Sequence, residues 1–66
     1  MTITLNGQAH ELPQPLLLPA LLESLGLAGK PVVVEHNRTA LLPREMQAAQ
    51  VQDGDLIEIV QITAGG

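Results

Sequence analysis

The sequence predicts an α+β fold in which a mixed sheet of four to five strands packs on one main helix. A hairpin signal near the N-terminus and a stripe of leucines after it indicate two strands followed by a helix. Valine- and isoleucine-rich runs in the second half indicate further strands. The 66-residue chain is 45% hydrophobic, enough for one small core, so we expect residues 1–66 to form a single domain.

The first two strands are predicted from a short alternating pattern and a turn. Ile3, Thr4 and Leu5 alternate apolar and polar, as expected of a half-buried strand. Asn6-Gly7 is typical of a type I′ hairpin turn, because both central residues of that turn need positive φ. Residues 8–12 then form the returning strand, which the following prolines end.

One amphipathic helix follows. Pro19 suits its first turn, where the missing N–H costs nothing, and Gly26 suits its C-terminal end. Its apolar stripe has spacings of three and four and consists of Leu17, Leu18, Leu21, Leu22 and Leu25.

The second half predicts three more strands. Val32-Val33-Val34 is a β-branched run typical of a strand with both faces largely buried. Residues 36–38 resemble a turn, residues 40–42 a short strand or an extended segment, and residues 43–45 a single helical turn.

The last strand is predicted over residues 56–62, after a tight turn at Asp53-Gly54-Asp55. In the resulting β-β-α-β-β-β order the last strand can lie beside the first in the middle of the sheet, the ubiquitin-like β-grasp arrangement. Residues 63–66 offer nothing to bury, and we expect them to form a flexible tail.

Composition excludes several classes of function. The chain has no cysteine, which excludes a thiolate metal site and a thiol nucleophile. It has no aromatic residue for stacking on bases, and its net charge is −4 with only three basic side chains, so we expect no nucleic-acid partner. No apolar run is long enough to span a membrane and the N-terminus lacks a signal-peptide pattern, so we expect a cytoplasmic protein without a membrane partner.

The sequence gives little support for a catalytic site or a metal site. His10 and His36 are the only imidazoles, and the adjacent Glu11 and Glu35 would point to the opposite face of a strand. We therefore expect ordinary surface or edge histidines, no metal site, no bound cofactor and no enzymatic activity. The Asp53–Asp55 segment lacks the further oxygen ligands of a calcium loop, so a structural turn is favoured.

The Gly65-Gly66 end is the sharpest functional candidate. Glycine has no Cβ to clash, so such an end can enter the active site of another protein, and adenylation by ATP would make its carboxylate reactive. The alternative is an inert frayed terminus, since many chains end in glycine.

Two interpretations of the last strand remain open. Ile57 and Ile59 would face the helix, whereas Glu58, Val60 and Ile62 would lie on the other face. Either that face is an exposed apolar surface of the kind that marks partner sites, or the strand is central and covered on both faces.

The chain resembles the ThiS family of sulfur carrier proteins over nearly its whole length. The resemblance is carried, in order, by Asn6-Gly7, Leu21-Leu22-Glu23-Ser24-Leu25, Leu42-Pro43-Arg44, Asp53-Gly54-Asp55-Leu56-Ile57-Glu58-Ile59-Val60 and Gly65-Gly66. It implies the β-grasp fold and a thiocarboxylate formed at Gly66, with Gly65 and Ala64 entering partner active sites. It also implies docking through Val60, Ile62 and Glu58.

The implied partners are an E1-like adenylating enzyme (ThiF), which consumes ATP, a cysteine desulfurase or other persulfide donor, and thiazole synthase (ThiG). One position departs from the family pattern, which has an asparagine five residues before the proline of the Pro-Arg pair. Here Arg38 takes that spacing and Asn37 precedes it, which predicts a turn one residue longer or a β-bulge.

Three alternatives share the predicted fold. One is the small sulfur-carrying subunit of molybdopterin synthase (MoaD-like), and another is a ubiquitin-like modifier attached to lysines through Gly66. The third is an interaction domain with an inert tail. The length of 66 residues favours the ThiS family over the MoaD-like carriers, which tend to be longer.

Overall fold

The computed structural model describes residues 1–63, and it confirms the α+β architecture. Seven strands and two helices follow one another along these residues. They are β1 (Thr2–Leu5), β2 (Gln8–Glu11), β3 (Leu16–Leu17), α1 (Leu18–Ser24), β4 (Val32–His36), β5 (Thr39–Ala40), α2 (Pro43–Ala48), β6 (Gln50–Val51) and β7 (Leu56–Gln61).

The main sheet has five strands in the order β2-β1-β7-β4-β5. β7 pairs in parallel with β1 and antiparallel with β4, so the last strand occupies the centre beside the first. This is the predicted β-grasp arrangement. A second, two-stranded sheet pairs β3 with β6 and was not predicted.

Both hairpins of the main sheet have two-residue turns with positive φ at each central residue. Asn6 and Gly7 have φ of 49° and 81°, and Asn37 and Arg38 have 51° and 71°. The pairs that flank the second turn, Glu35 with Ala40 and His36 with Thr39, are in regular register. The longer turn or bulge predicted here is therefore wrong, because the turn has the shortest common hairpin length and the paired segment contains no extra residue.

Helix α1 begins one residue later than the leucine stripe predicts. Leu17 belongs to β3, because the pairing of β3 with β6 continues up to this residue. Its side chain is 50% exposed. The Leu18 N–H then donates to the Ala49 carbonyl at 2.8 Å, which fixes the point where strand gives way to helix. Pro19 lies in the first turn, as predicted.

The C-terminal end of α1 is a Schellman motif. Gly26 has φ of 75°, and its N–H donates to the Glu23 carbonyl at 3.0 Å. The Leu27 N–H donates to the Leu22 carbonyl at 2.8 Å. Since only glycine adopts this conformation without a steric penalty, Gly26 ends the helix as predicted.

Helix α2 is longer than the single turn that was predicted. It runs over Pro43–Ala48, and the Glu45 carboxylate accepts a hydrogen bond from the Leu42 N–H at 2.7 Å. This contact satisfies a backbone donor just before the helix and favours its start at Pro43.

The core lies between the main sheet and α1. Among residues 1–63, nine buried hydrophobic residues from both halves of the chain form it: Ile3, Leu12, Leu18, Leu21, Leu22, Val34, Val51, Ile57 and Ile59. Val33, in contrast, is 44% exposed, so the prediction that both faces of its strand are largely buried is wrong. Only one face of β4 is covered by the core, and its residues alternate accordingly.

Candidate docking face and the end of the last strand

The turn at residues 53–55 holds the start of β7 against β1. The Asp53 Oδ1 accepts from the Thr2 N–H at 2.8 Å, and the Gly54 N–H donates to the Thr2 carbonyl at 2.9 Å. Both contacts are structural, in agreement with the prediction of a turn that launches the last strand. Within residues 1–63, no group of three or more histidine, cysteine or acidic side chains is placed to hold a metal ion.

Asp55 is the most densely hydrogen-bonded carboxylate of this region. Its Oδ2 lies 2.7 Å from His36 Nε2 and accepts from the Gln52 N–H at 2.9 Å. Its Oδ1 accepts from Asn37 Nδ2 at 3.2 Å. Partial burial acts to raise the pKa of Asp55, but the hydrogen bonds from His36, Gln52 and Asn37 outweigh it and hold the pKa below its ordinary value.

His36 is therefore not the ordinary surface or edge histidine that the sequence predicts. Its side chain is 22% exposed and pairs with a carboxylate 19 residues away. The prediction considered only Glu35, the neighbour in sequence, whereas the partner comes from the other side of the β4–β7 pair. In this structure the His36–Asp55 contact ties the β4–β5 turn to the beginning of β7.

The two faces of β7 differ sharply in exposure. Ile57 and Ile59 are 0% and 8% exposed and face the core, as predicted. Glu58 is exposed, and Val60 and Ile62 are 63% and 52% exposed. Of the two interpretations of this strand, the exposed apolar surface is confirmed and the doubly covered strand is wrong.

The exposed apolar residues of β7 continue across neighbouring strands. Val60 pairs directly with Val33 on β4. The Leu41 N–H donates to the Val34 carbonyl at 3.0 Å, and the half-exposed Leu42 follows it along the chain. We call Val33, Leu42, Val60 and Ile62 the outer apolar patch. The sequence predicted Val60 and Ile62 on this face, whereas Val33 was expected to be covered and Leu42 had no predicted role.

The chain leaves this patch at the end of β7. The Ile62 N–H donates to the Pro31 carbonyl at 2.9 Å, and Thr63, which is exposed, is the last described residue. The predicted modified residue Gly66, with Gly65 and Ala64, lies outside the described residues. The proposed docking role of Glu58, Val60 and Ile62 stays a prediction.

An open groove is lined by residues of α1, of the loop that follows it and of α2. Among the described residues that line it, Glu23 is the only titratable one and none is a histidine, serine or threonine. The remaining lining residues are Pro19, Leu22, Ala28, Gly29, Met46 and Gln47. Within residues 1–63, neither helix has the length and apolar character needed to cross a membrane.

Comparison with known proteins gives matches over the whole chain. The sulfur carrier protein ThiS of Thermus thermophilus is 36% identical over 67 residues, covering 97% of this chain and 98% of that protein. The crystal structure of the thiamine biosynthesis protein ThiS from Geobacter metallireducens has a TM-score of 0.84 and 32% identity, with 100% of both chains covered.

A thiazole synthase from Magnetococcus marinus also matches, with 36% identity over 66 residues. This match covers 100% of the present chain, which spans only 20% of the length of that protein. The model of the ThiS family matches residues 3–66, and that match includes the Gly65-Gly66 end. The chain therefore belongs to the ThiS family.

Proposed function

We propose that this chain is a sulfur carrier that supplies sulfur for the thiazole ring of thiamine. The observation that carries the proposal is the family match over residues 3–66, which takes in both the fold and the Gly65-Gly66 end. The Thermus thermophilus relative of nearly the same length is named as a sulfur carrier protein.

The reactive group in this proposal is the carboxylate of Gly66. One of its oxygens attacks the α-phosphorus of ATP in the adenylating enzyme, and pyrophosphate leaves. The terminal sulfur of a persulfide then attacks the acyl carbon, AMP leaves, and a thiol reduces the resulting acyl disulfide to the thiocarboxylate. The chain itself binds no cofactor and catalyses no step; the partner enzyme consumes the ATP.

The geometry at the end of β7 supports delivery of this group to a partner. Residues 64–66 extend at most about 11 Å beyond Thr63. Gly65 and Ala64 have small side chains, or none, to obstruct a narrow active site. The exposed Val60, Ile62 and Glu58 lie next to the starting point of this segment, where they would dock the body of the carrier.

The acceptor is proposed to be thiazole synthase. Two proteins named thiazole synthase, from Magnetococcus marinus and Paramagnetospirillum magneticum, contain a segment that matches this entire chain. Covalent linkage raises the effective concentration of two modules that must meet, so the fusion favours a working interaction between them. This favours thiazole supply over molybdopterin supply. An E1-like ThiF enzyme and a cysteine desulfurase complete the proposed set of partners.

Intact-mass analysis tests the proposal. The full chain is incubated with ATP, a ThiF-like enzyme and a cysteine desulfurase with cysteine, and we expect the mass increase for replacement of one oxygen by sulfur. Fragmentation should place the change on Gly66, and a chain without Gly66 should remain unmodified. Addition of thiazole synthase and its other substrates should return the mass to that of the carboxylate.

An unmodified chain, with the enzymes active on another carrier, would refute the proposal. A denaturing gel of the same reaction distinguishes the sulfur carrier from a ubiquitin-like modifier. The modifier would give slower-migrating adducts that depend on Gly66. Normal sulfur delivery by a chain without Gly65-Gly66 would instead indicate an inert tail.

A further inference from the structure

Two carboxylates face each other on the outer side of the sheet. The β4–β7 register pairs Glu35 with Glu58, and both residues are exposed. Directly opposed residues of antiparallel strands have Cβ atoms about 5 Å apart, where like charges repel each other. The pairing therefore opposes folding of the free protein and has no evident structural benefit.

No ion pair within 4 Å offsets this repulsion in the described chain. The five strands of the main sheet contain no lysine or arginine. Over residues 1–63, the only ion pair within 4 Å is that of His36 with Asp55. The carboxylates of Glu35 and Glu58 thus lack a positively charged partner in the part of the chain that the structure describes.

The acidic pair adjoins the outer apolar patch. Glu35 and Glu58 each lie two residues along their strands from the paired Val33 and Val60. At about 3.4 Å per residue, the two pairs are about 7 Å apart on the same face. Apolar residues bordered by unneutralised charge of one sign indicate a complementary surface with an apolar centre and a cation at its border.

We propose that this face docks the adenylating enzyme through a surface whose arginine or lysine side chain lies between Glu35 and Glu58 while apolar side chains cover the outer apolar patch. The inference rests on the proposed function and specifies the chemistry of that partner. An arginine suits the site best, because its planar guanidinium donates to two carboxylates at once. Docking converts a repulsive pair into an attractive cluster.

A second copy of this chain is a poor occupant. A symmetric dimer packs the same surface of each copy against the other. The strands of this face contain no basic residue, so the contact would bury four carboxylates without a cation from the sheet. The charge of the face therefore favours a different protein with a basic border.

Calorimetric titration of the adenylating enzyme with the full chain in the absence of ATP tests the inference. Neutral variants Glu35→Gln and Glu58→Gln retain the side-chain shape, and we expect Kd to rise about threefold for each and about tenfold for the pair. Raising the salt concentration should weaken binding of the wild type more than that of the double variant. Glu23→Gln, on the exposed face of α1, makes the same charge change and should bind as the wild type does.

The thermal stability of the variants provides the second measurement. The double variant should unfold at the same temperature as the wild type or higher, because a repulsive pair has been removed. Unchanged binding in the double variant, equal losses in the Glu23→Gln control, or no binding of the wild type would each overturn the inference. Binding that depends on Glu35 and Glu58 without sulfur addition at Gly66 would refute the proposed function alone.

Discussion

Asp55 joins the β4–β5 turn to the turn before β7 through its two carboxylate oxygens. The oxygens accept from His36, from Asn37 in the β4–β5 turn and from the Gln52 N–H that precedes the last turn. Asn37 in turn accepts from the Leu56 N–H at 2.9 Å. Charged acceptors that are partly shielded from water make stronger hydrogen bonds than neutral ones, so this residue should contribute to stability well beyond an average surface carboxylate.

Asp55→Asn should lower the free energy of unfolding by about 1–2 kcal/mol at pH 7. The lowered pKa of Asp55 means that its contribution is fully present above its unfolded pKa near 3.8. The contribution is lost as pH falls through the lower, folded pKa. The difference between wild type and variant should therefore shrink below about pH 4.

Urea unfolding followed by far-ultraviolet circular dichroism measures this effect, since the chain contains no Trp, Tyr or Phe. Asp53→Asn is the matched control in the same turn, because its amide oxygen can still accept from the Thr2 N–H. A difference between the Asp55 variant and the wild type that stays constant from pH 7 to pH 3 would contradict the argument.

For single residues, the sequence predicts turn positions better than it predicts which side chains contact each other. The turn residues Asn6, Gly7 and Gly26 were predicted correctly, because local backbone conformation limits which residues fit. The His36–Asp55 contact was not predicted, since its two residues become neighbours only through the β4–β7 pairing. The facing of Glu35 and Glu58 depends on the same register, and a shift of one residue would place the two on opposite faces.

Strand β7 combines the core and the candidate docking face in one element. Its inward residues contact the helix side of the sheet, and its outward residues form part of the outer apolar patch. The alternation was predicted from sequence because a strand has a period of two. What could not be predicted was whether another element covers the outer face, since that depends on the position of every other segment.

An isoleucine-to-valine substitution on each face of the sheet should distinguish the core face from the candidate docking face. Ile57→Val removes one methylene from a fully buried side chain and should lower the free energy of unfolding by about 1 kcal/mol. Ile62→Val removes the same group from a half-exposed side chain and should change stability by less than about 0.5 kcal/mol. Chemical denaturation measures both, and equal losses would show that the outer face is covered in solution.

Helix α1 supplies an equally direct prediction at its C-terminal end. Gly26→Ala should lower the free energy of unfolding by about 1 kcal/mol, because φ of 75° is unfavourable for a residue with a Cβ. No atom lies within 4 Å of the added Cβ, so the cost is conformational rather than steric contact with neighbours.

Gly26→Asn is the appropriate comparison, since asparagine tolerates the left-handed region better than alanine. Its loss in thermal unfolding should be the smaller of the two. An alanine variant as stable as the wild type would show that the helix ends in another way in solution.

Helices and strands with a clear hydrophobic periodicity or turn signal were predicted from the sequence, whereas the two-residue strands β3 and β6 were not. The hairpin, α1 and β7 each have a recognisable local pattern, whereas β3 and β6 have two residues each and no period. Leu16-Leu17-Leu18 is a continuous apolar run that can be divided between strand and helix at any point. The division is fixed by pairing with Gln50-Val51, which lies more than thirty residues away in sequence.

On the scale of the whole molecule, the first and last strands of the described chain lie side by side in the same sheet. Thr2 and Thr4 accept and donate backbone hydrogen bonds with the turn before β7, and the Met1 amino group donates to the Leu12 carbonyl. Closing β1 against β7 requires contacts across more than fifty residues, and the core contains residues from both halves. The first and last strands therefore pair only when distant parts of the chain come together, and the residues proposed to carry sulfur follow the last strand.

Two truncations test this separation of body and reactive end. Removal of residues 64–66 leaves the core and the Ile62 N–H bond to the Pro31 carbonyl in place, so stability should change by less than about 0.5 kcal/mol. Removal of residues 62–66 also deletes that bond and part of the outer apolar patch, and should cost about 1 kcal/mol.

The two truncations should also differ in their effects on sulfur addition and on binding to the adenylating enzyme. The shorter deletion should abolish sulfur addition while the chain still binds the adenylating enzyme, because the outer apolar patch and the facing pair of Glu35 and Glu58 remain. The longer deletion should weaken binding as well. A large loss of stability after removal of residues 64–66 alone would mean that these residues pack on the body, and the reactive end would then have to be released before it could enter a partner's active site.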